Sequence, residues 1–142
     1  MALTAIRRSL YGKLSGDTTL NALLATPAAG YSKAIYFHQA PAGAQFPYVL
    51  FQKMSGIPTE TFGDPEFMEG DTWMVKGVDR SPSADKVESI ADRVNTLLQD
   101  ASLSISGTSL LYLRRQSDIE YPEVDEGVLY HHCGAIFRVV TG

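Results

Sequence analysis

The chain has 142 residues, 44% hydrophobic and 20% charged, with a formal net charge of −4 and a single cysteine. That length suits one domain, residues 1–142, burying about two-thirds of its unfolded surface, which is core enough without staples. The acidic balance argues against a whole-domain nucleic-acid binder, and lone Cys133 excludes an intrachain disulfide and a Cys-rich zinc site. It suits a reducing cytoplasm.

The start, Met1 to Arg8, places its charges after a few apolar residues, the reverse of a signal peptide. No apolar run approaches the ~20 residues of a membrane span. Leu3, Ile6, Leu10 and Leu14 then recur at three- and four-residue spacing, predicting an amphipathic helix with Arg7, Arg8 and Lys13 mainly off the stripe. Gly16 ends it, and Asp17 is placed to cap a second short helix through Leu20, Leu23 and Leu24, stopped near Pro27.

Ile35-Tyr36-Phe37 and Tyr48 to Phe51 read as strands separated by a Pro/Gly turn, a stretch built for pairing and packing. Ser55 to Gly70 follows as a long connection without periodicity, of the kind that is functional or mobile. It nevertheless carries Ile57, Phe62, Phe67 and Met68, which a solvated tether would rarely hold, so it should pack on its own sheet or on a neighbouring subunit.

Asp71 to Asp79 reads as a strand with Trp73, Val75 and Gly77 on one face and Met74, Lys76 and Val78 on the other. Ser81 and Pro82 then open the clearest helix, whose stripe is Ala84, Val87, Ile90, Ala91, Val94, Leu97 and Leu98. Leu103 to Ile105 and Leu110 to Leu113, about a Gly107 turn, read as strand material. Residues 118–128 read as an exposed loop carrying Asp118, Glu120, Glu123, Asp125 and Glu126. Leu129 to Val140 closes the chain as a strand with Leu129, His131, Cys133, Ala135, Phe137 and Val139 on one face. The order α-α-β-β-β-α-β-β-β predicts an α+β domain, a mostly antiparallel sheet with helices packed on one face.

No constellation encodes chemistry. Adjacent His131 and His132 point to opposite strand faces and cannot easily share one ion; His132 and Cys133 have the same problem as a base–nucleophile pair. A buried inert thiol is the better reading of Cys133. Gly12-Lys13-Leu14-Ser15 lacks the glycine and leading strand of a phosphate loop. The acids of 118–128 lack calcium-loop spacing and read as a solvated face. Arg114 and Arg115 point to opposite faces; they either pair with an acidic loop, their own or a neighbour's, or form a solvated strand end. No cofactor, metal or catalytic residue is expected.

Taken in order, these signals resemble the tail completion or tail terminator proteins of long-tailed bacteriophages. The residues that carry the likeness are the helix pair Leu3 to Leu24, the Ile35-Tyr36 strand, Ala40-Pro41 and Phe46-Pro47-Tyr48-Val49-Leu50. The Trp73 strand, the helix run Ala84, Ile90, Ala91, Val94, Leu97-Leu98, then Leu110 to Tyr112 and Phe137-Arg138-Val139 complete them. The resemblance implies a structural virion protein with no catalysis: a ring, typically a hexamer, on the head-proximal end of the tail tube. Such a ring stops tube polymerisation and offers a surface to the head connector, with DNA passing through without sequence-specific binding. Its place would be the virion's tail neck, assembled in the bacterial cytoplasm without a membrane. Another neck component (a connector adaptor or stopper), or a small-ligand-binding α+β domain, are the other readings.

A ring needs two different, complementary patches on each subunit. Charge makes Arg7 and Arg8, or Arg114 and Arg115, against Glu123, Asp125 and Glu126 the candidate pairing, with Phe62, Phe67 and Met68 as apolar anchors. Replacing Phe62 and Phe67 by Ser is then expected to abolish the ring without unfolding the monomer.

Overall fold

The computed structural model describes residues 3–61 and 64–142, and the side chains of 4–55 and 70–142. The elements run α1 (Leu3–Ser15), α2 (Thr18–Ala22), β1 (Ile35–Phe37), β2 (Tyr48–Thr61), β3 (Asp64–Asp79), α3 (Asp85–Leu98), β4 (Leu110–Asp125) and β5 (Val128–Thr141). The strands form one sheet in the order β1-β2-β3-β5-β4, antiparallel except that β1 pairs parallel with β2. This is the α+β architecture expected.

The helix stripe reads out directly in packing. Ile6, Leu10 and Leu14 of α1 and Ile90, Val94 and Leu98 of α3 are buried against Val49, Phe51, Trp73, Val75, Leu113, Phe137 and Val139 of the sheet, and Val87 of α3 is buried as well. Each such side chain contributes about 1.5–3 kcal/mol by leaving water. Asp17 caps α2 as its position predicts, its Oδ2 accepting the Leu20 amide at 2.7 Å. Gly77 lies under α3; a Cβ there would stand 2.9 Å from Ile90 Cγ2, so the missing side chain lets the helix sit down on the sheet. At Gly134 the crowding is worse, 2.1 Å from the Val75 carbonyl oxygen. On the other face the Ala40–Phe46 loop covers Ala34, Tyr36, Tyr48 and Val78 as a smaller core.

Several boundaries differ from expectation. Ser55–Gly70 is not an irregular connection but the outer half of a β2–β3 hairpin, in register from Tyr48↔Val78 to Thr61↔Asp64 with bulges at Lys53/Ser55 and Thr59/Thr61. Residues 118–128 are likewise not a loop: β4 runs through them and turns at Glu126-Gly127, both at positive φ, into β5. Leu103 to Ile105 joins no strand. The helix begins at Asp85 rather than at Pro82, because Ser81 Oγ accepts the Ser83 amide and Ser83 Oγ the Asp85 amide, closing two small turns before α3.

The register gives the molecule its outline. β5 pairs β3 only from Glu69↔Thr141 to Asp79↔His131. The outer part of β2–β3 therefore extends past the sheet at one end as a two-stranded arm. The β4–β5 turn extends past it at the other end. Among the described residues no helix is long and apolar enough to cross a membrane.

Candidate assembly interface

The two edges of the sheet differ in chemistry. At the β1 edge, Ile35, Phe37 and Phe51 face the helices, and α1 brings Tyr11, Arg7 and Arg8 beside them. Together with exposed Tyr31 they line an open groove of about 330 Å³. The Arg7 guanidinium lies over the Phe37 ring at 5.0 Å, its charge against the aromatic face; Arg8, also lining the groove, is exposed.

At the other edge β4 is exposed over nearly all of its length. The sequence-predicted residues divide here. Arg114 pairs with Asp100 at 3.1 Å and packs over Tyr112, and Arg115 pairs with Asp118 of its own strand at 3.2 Å. Both pairs are solvent-exposed and so contribute little to stability, but they occupy these arginines within the chain. Glu123, Asp125 and Glu126 gather at the β4–β5 turn. Val124 beside them is 70% exposed. Of the proposed anchors, Phe62 lies outside the described residues; Phe67 and Met68 are on β3, with side chains outside them.

Between the edges, on the face away from the helices, is a polar group that sequence reasoning did not single out. Lys76, 8% exposed, donates from Nζ to the Tyr121 hydroxyl at 2.7 Å. Tyr121 stacks on His132 at 4.5 Å, and His132 Nε2 meets Glu123 Oε1 at 2.8 Å. Burial lowers the His132 pKa below its ordinary 6.5, a shift that Glu123 opposes and Lys76 reinforces. Strand alternation already puts Lys76 and His132 on one face; the signal missed was that Tyr121 and Glu123 continue a strand.

Cys133 faces the other way, towards α3, and its thiol donates to Glu120 Oε2 at 3.1 Å. Burial, then that carboxylate, pushes its pKa up to about 12, which keeps it a protonated, inert thiol at neutral pH. His132 and Cys133 thus have separate surroundings, as alternation requires. Among the described residues no group of three or more His, Cys, Asp or Glu side chains is placed to hold a metal ion. What this surface offers is opposite charge at its two edges and exposed apolar area.

A family model, tail completion protein gp17, matches residues 8–133, and the chain belongs to that family of phage tail structural proteins. No curated protein matches it. Among solved structures, a chain titled as part of the virion of a native gene transfer agent particle shares the fold, with a TM-score of 0.69 at 16% identity. The match covers 99% of this chain and 98% of that one. A second solved chain has a TM-score of 0.60 at 15% identity, covering 99% of this chain and 96% of its own length.

Proposed function

We propose that the protein is a tail terminator: copies form a ring, of six in the expected case, on the head-proximal end of the phage tail tube. The ring ends tube polymerisation and presents its far surface to the head connector. Its partners are further copies of itself, the tail tube protein and the connector or neck protein. DNA passes through its centre, where a subunit of net charge −4 offers little to grip phosphate. The protein is placed in the virion's tail neck after assembly in the host cytoplasm, with no catalytic step.

The observation that carries this reading is the family match over residues 8–133. Two features support it. The neighbour of like fold belongs to a virion. The two hairpin arms leave the sheet at opposite ends, so one subunit can reach two different neighbours. An isolated two-stranded arm is marginal in water and gains by packing on a partner.

Labelling purified tails with an antibody against this chain tests the placement. The label is expected as a single spot at the end that joins the head. Label along the tube, or at the distal tip, would reject the terminator reading.

A further inference from the structure

The strand order separates β1 from β4 by four inter-strand steps, about 19 Å of sheet, so the groove beside β1 and the turn at the end of β4 cannot meet within one chain. Their chemistries are opposite. The groove has an aromatic floor of Tyr11, Phe37 and Phe51 under a basic rim of Arg7 and Arg8. Neither arginine forms an ion pair among the described residues.

The β4–β5 turn has one exposed apolar side chain, Val124, at 70% exposure, flanked by acids. Glu123 is committed to His132, whereas Asp125 and Glu126 form no ion pair among the described residues. Arg114 and Arg115, the other basic candidates, are held by Asp100 and Asp118 of their own chain. Alternation along β4 puts Val124 towards the helix side of the sheet, the side on which the groove opens.

Resting on the ring reading, we propose that the subunit interface is head-to-tail: the β4–β5 turn of one copy docks in the β1–α1 groove of the next. Val124 enters the aromatic floor, and Asp125 and Glu126 meet Arg7 and Arg8. The occupant is a second copy of this chain. The two patches are complementary to each other and neither to itself, which generates a closed ring or an open helical array rather than a two-fold dimer. Desolvated charges around an apolar plug fix register and suppress wrong pairings.

The test uses three full-length proteins: the wild type, a groove variant carrying Arg7→Glu and Arg8→Glu, and a turn variant carrying Asp125→Lys and Glu126→Lys. All the changed positions are exposed or half-buried, so melting temperatures should stay within a few degrees of the wild type, the groove variant losing the Arg7–Phe37 contact. Assembly is read by mass in sedimentation or native mass spectrometry across concentration and salt. The wild type is expected to assemble, and each variant alone to need about a hundredfold more protein, because like charges then face each other. An equimolar mixture is expected to recover assembly, since an alternating ring restores opposite charge at every joint. Val124→Asp, which leaves groove and arginines untouched, is expected to weaken assembly without recovery by mixing with the groove variant.

If the wild type assembles but the charge variants assemble equally well, or the mixture fails to recover, this interface is wrong and the ring stands on another surface. A wild type that stays monomeric up to about millimolar concentration would overturn the ring reading, and this interface with it.

Discussion

Asp17 does two jobs with one carboxylate. It caps α2, and it receives a two-pronged hydrogen-bonded ion pair from Arg93 of α3, with both N–O distances 2.8 Å. The Arg93 bond, with smaller help from the Leu20 amide, holds its pKa at about 2 against an ordinary 3.8. A carboxyl lowered on folding stabilises fully above its unfolded value and loses that contribution as pH falls through the folded one. The advantage of the wild type over Asp17→Asn, in urea midpoints, is therefore expected to be constant above about pH 5 and to shrink from about pH 4 towards pH 2. Asp17→Ala also removes the cap, costing about 1 kcal/mol more. At Gly134 the expectation is steric: Gly134→Ala drives a Cβ into the Val75 carbonyl and should cost about 3 kcal/mol, read as a fall in denaturation midpoint with unchanged slope. The cap was legible because Asp after Gly16 is a local signal. Its partner Arg93 lies 76 residues away, and no local pattern announces such a pairing.

Among elements, those with unbroken periodicity were the ones read correctly. The α3 stripe and the Trp73 strand are single patterns with one buried face: the strand runs through the expected 71–79 as the inner part of β3, and the helix keeps its stripe but starts at Asp85, after its Ser81-Pro82 signal. The outer β2–β3 arm was misread because Gly56, Pro58, Pro65 and Gly70 break the alternation, and glycine and proline usually mark loops. They are tolerated there because past the five-stranded sheet each strand of the arm has only one neighbour. The outer half of β4 was misread for its acids and Pro122, yet charge and proline are also how an exposed edge strand avoids uncontrolled pairing. The β4–β5 pair carries its own prediction. His132 is held mostly neutral by burial, so its contribution is full above the unfolded pKa of about 6.5 and is lost as pH falls below it, when the unfolded chain takes up the proton first. His132→Gln is expected to flatten the decline in stability between pH 7 and pH 5.5. An unchanged slope would show that Glu123 cancels the effect of burial.

At the scale of the whole molecule, the α+β architecture, helices on one sheet, was legible because element order alone limits the architectures open to it. Which surfaces the proposed ring would use was not. Charge gave Arg7 and Arg8 equal standing with Arg114 and Arg115, and only tertiary structure shows the latter engaged within the chain by Asp100 and Asp118. Edge chemistry likewise depends on strand order, which brings an early helix beside one margin of the sheet and leaves a late hairpin at the other. A chain with unlike edges and an arm at each end suits the ring proposed above. The most direct measurement of that role is electron microscopy of lysates from the parent virus or prophage with this gene deleted. Tail tubes of uncontrolled length, unjoined to heads and restored by the wild-type gene, are the predicted result; tails of normal length on infectious particles would contradict it.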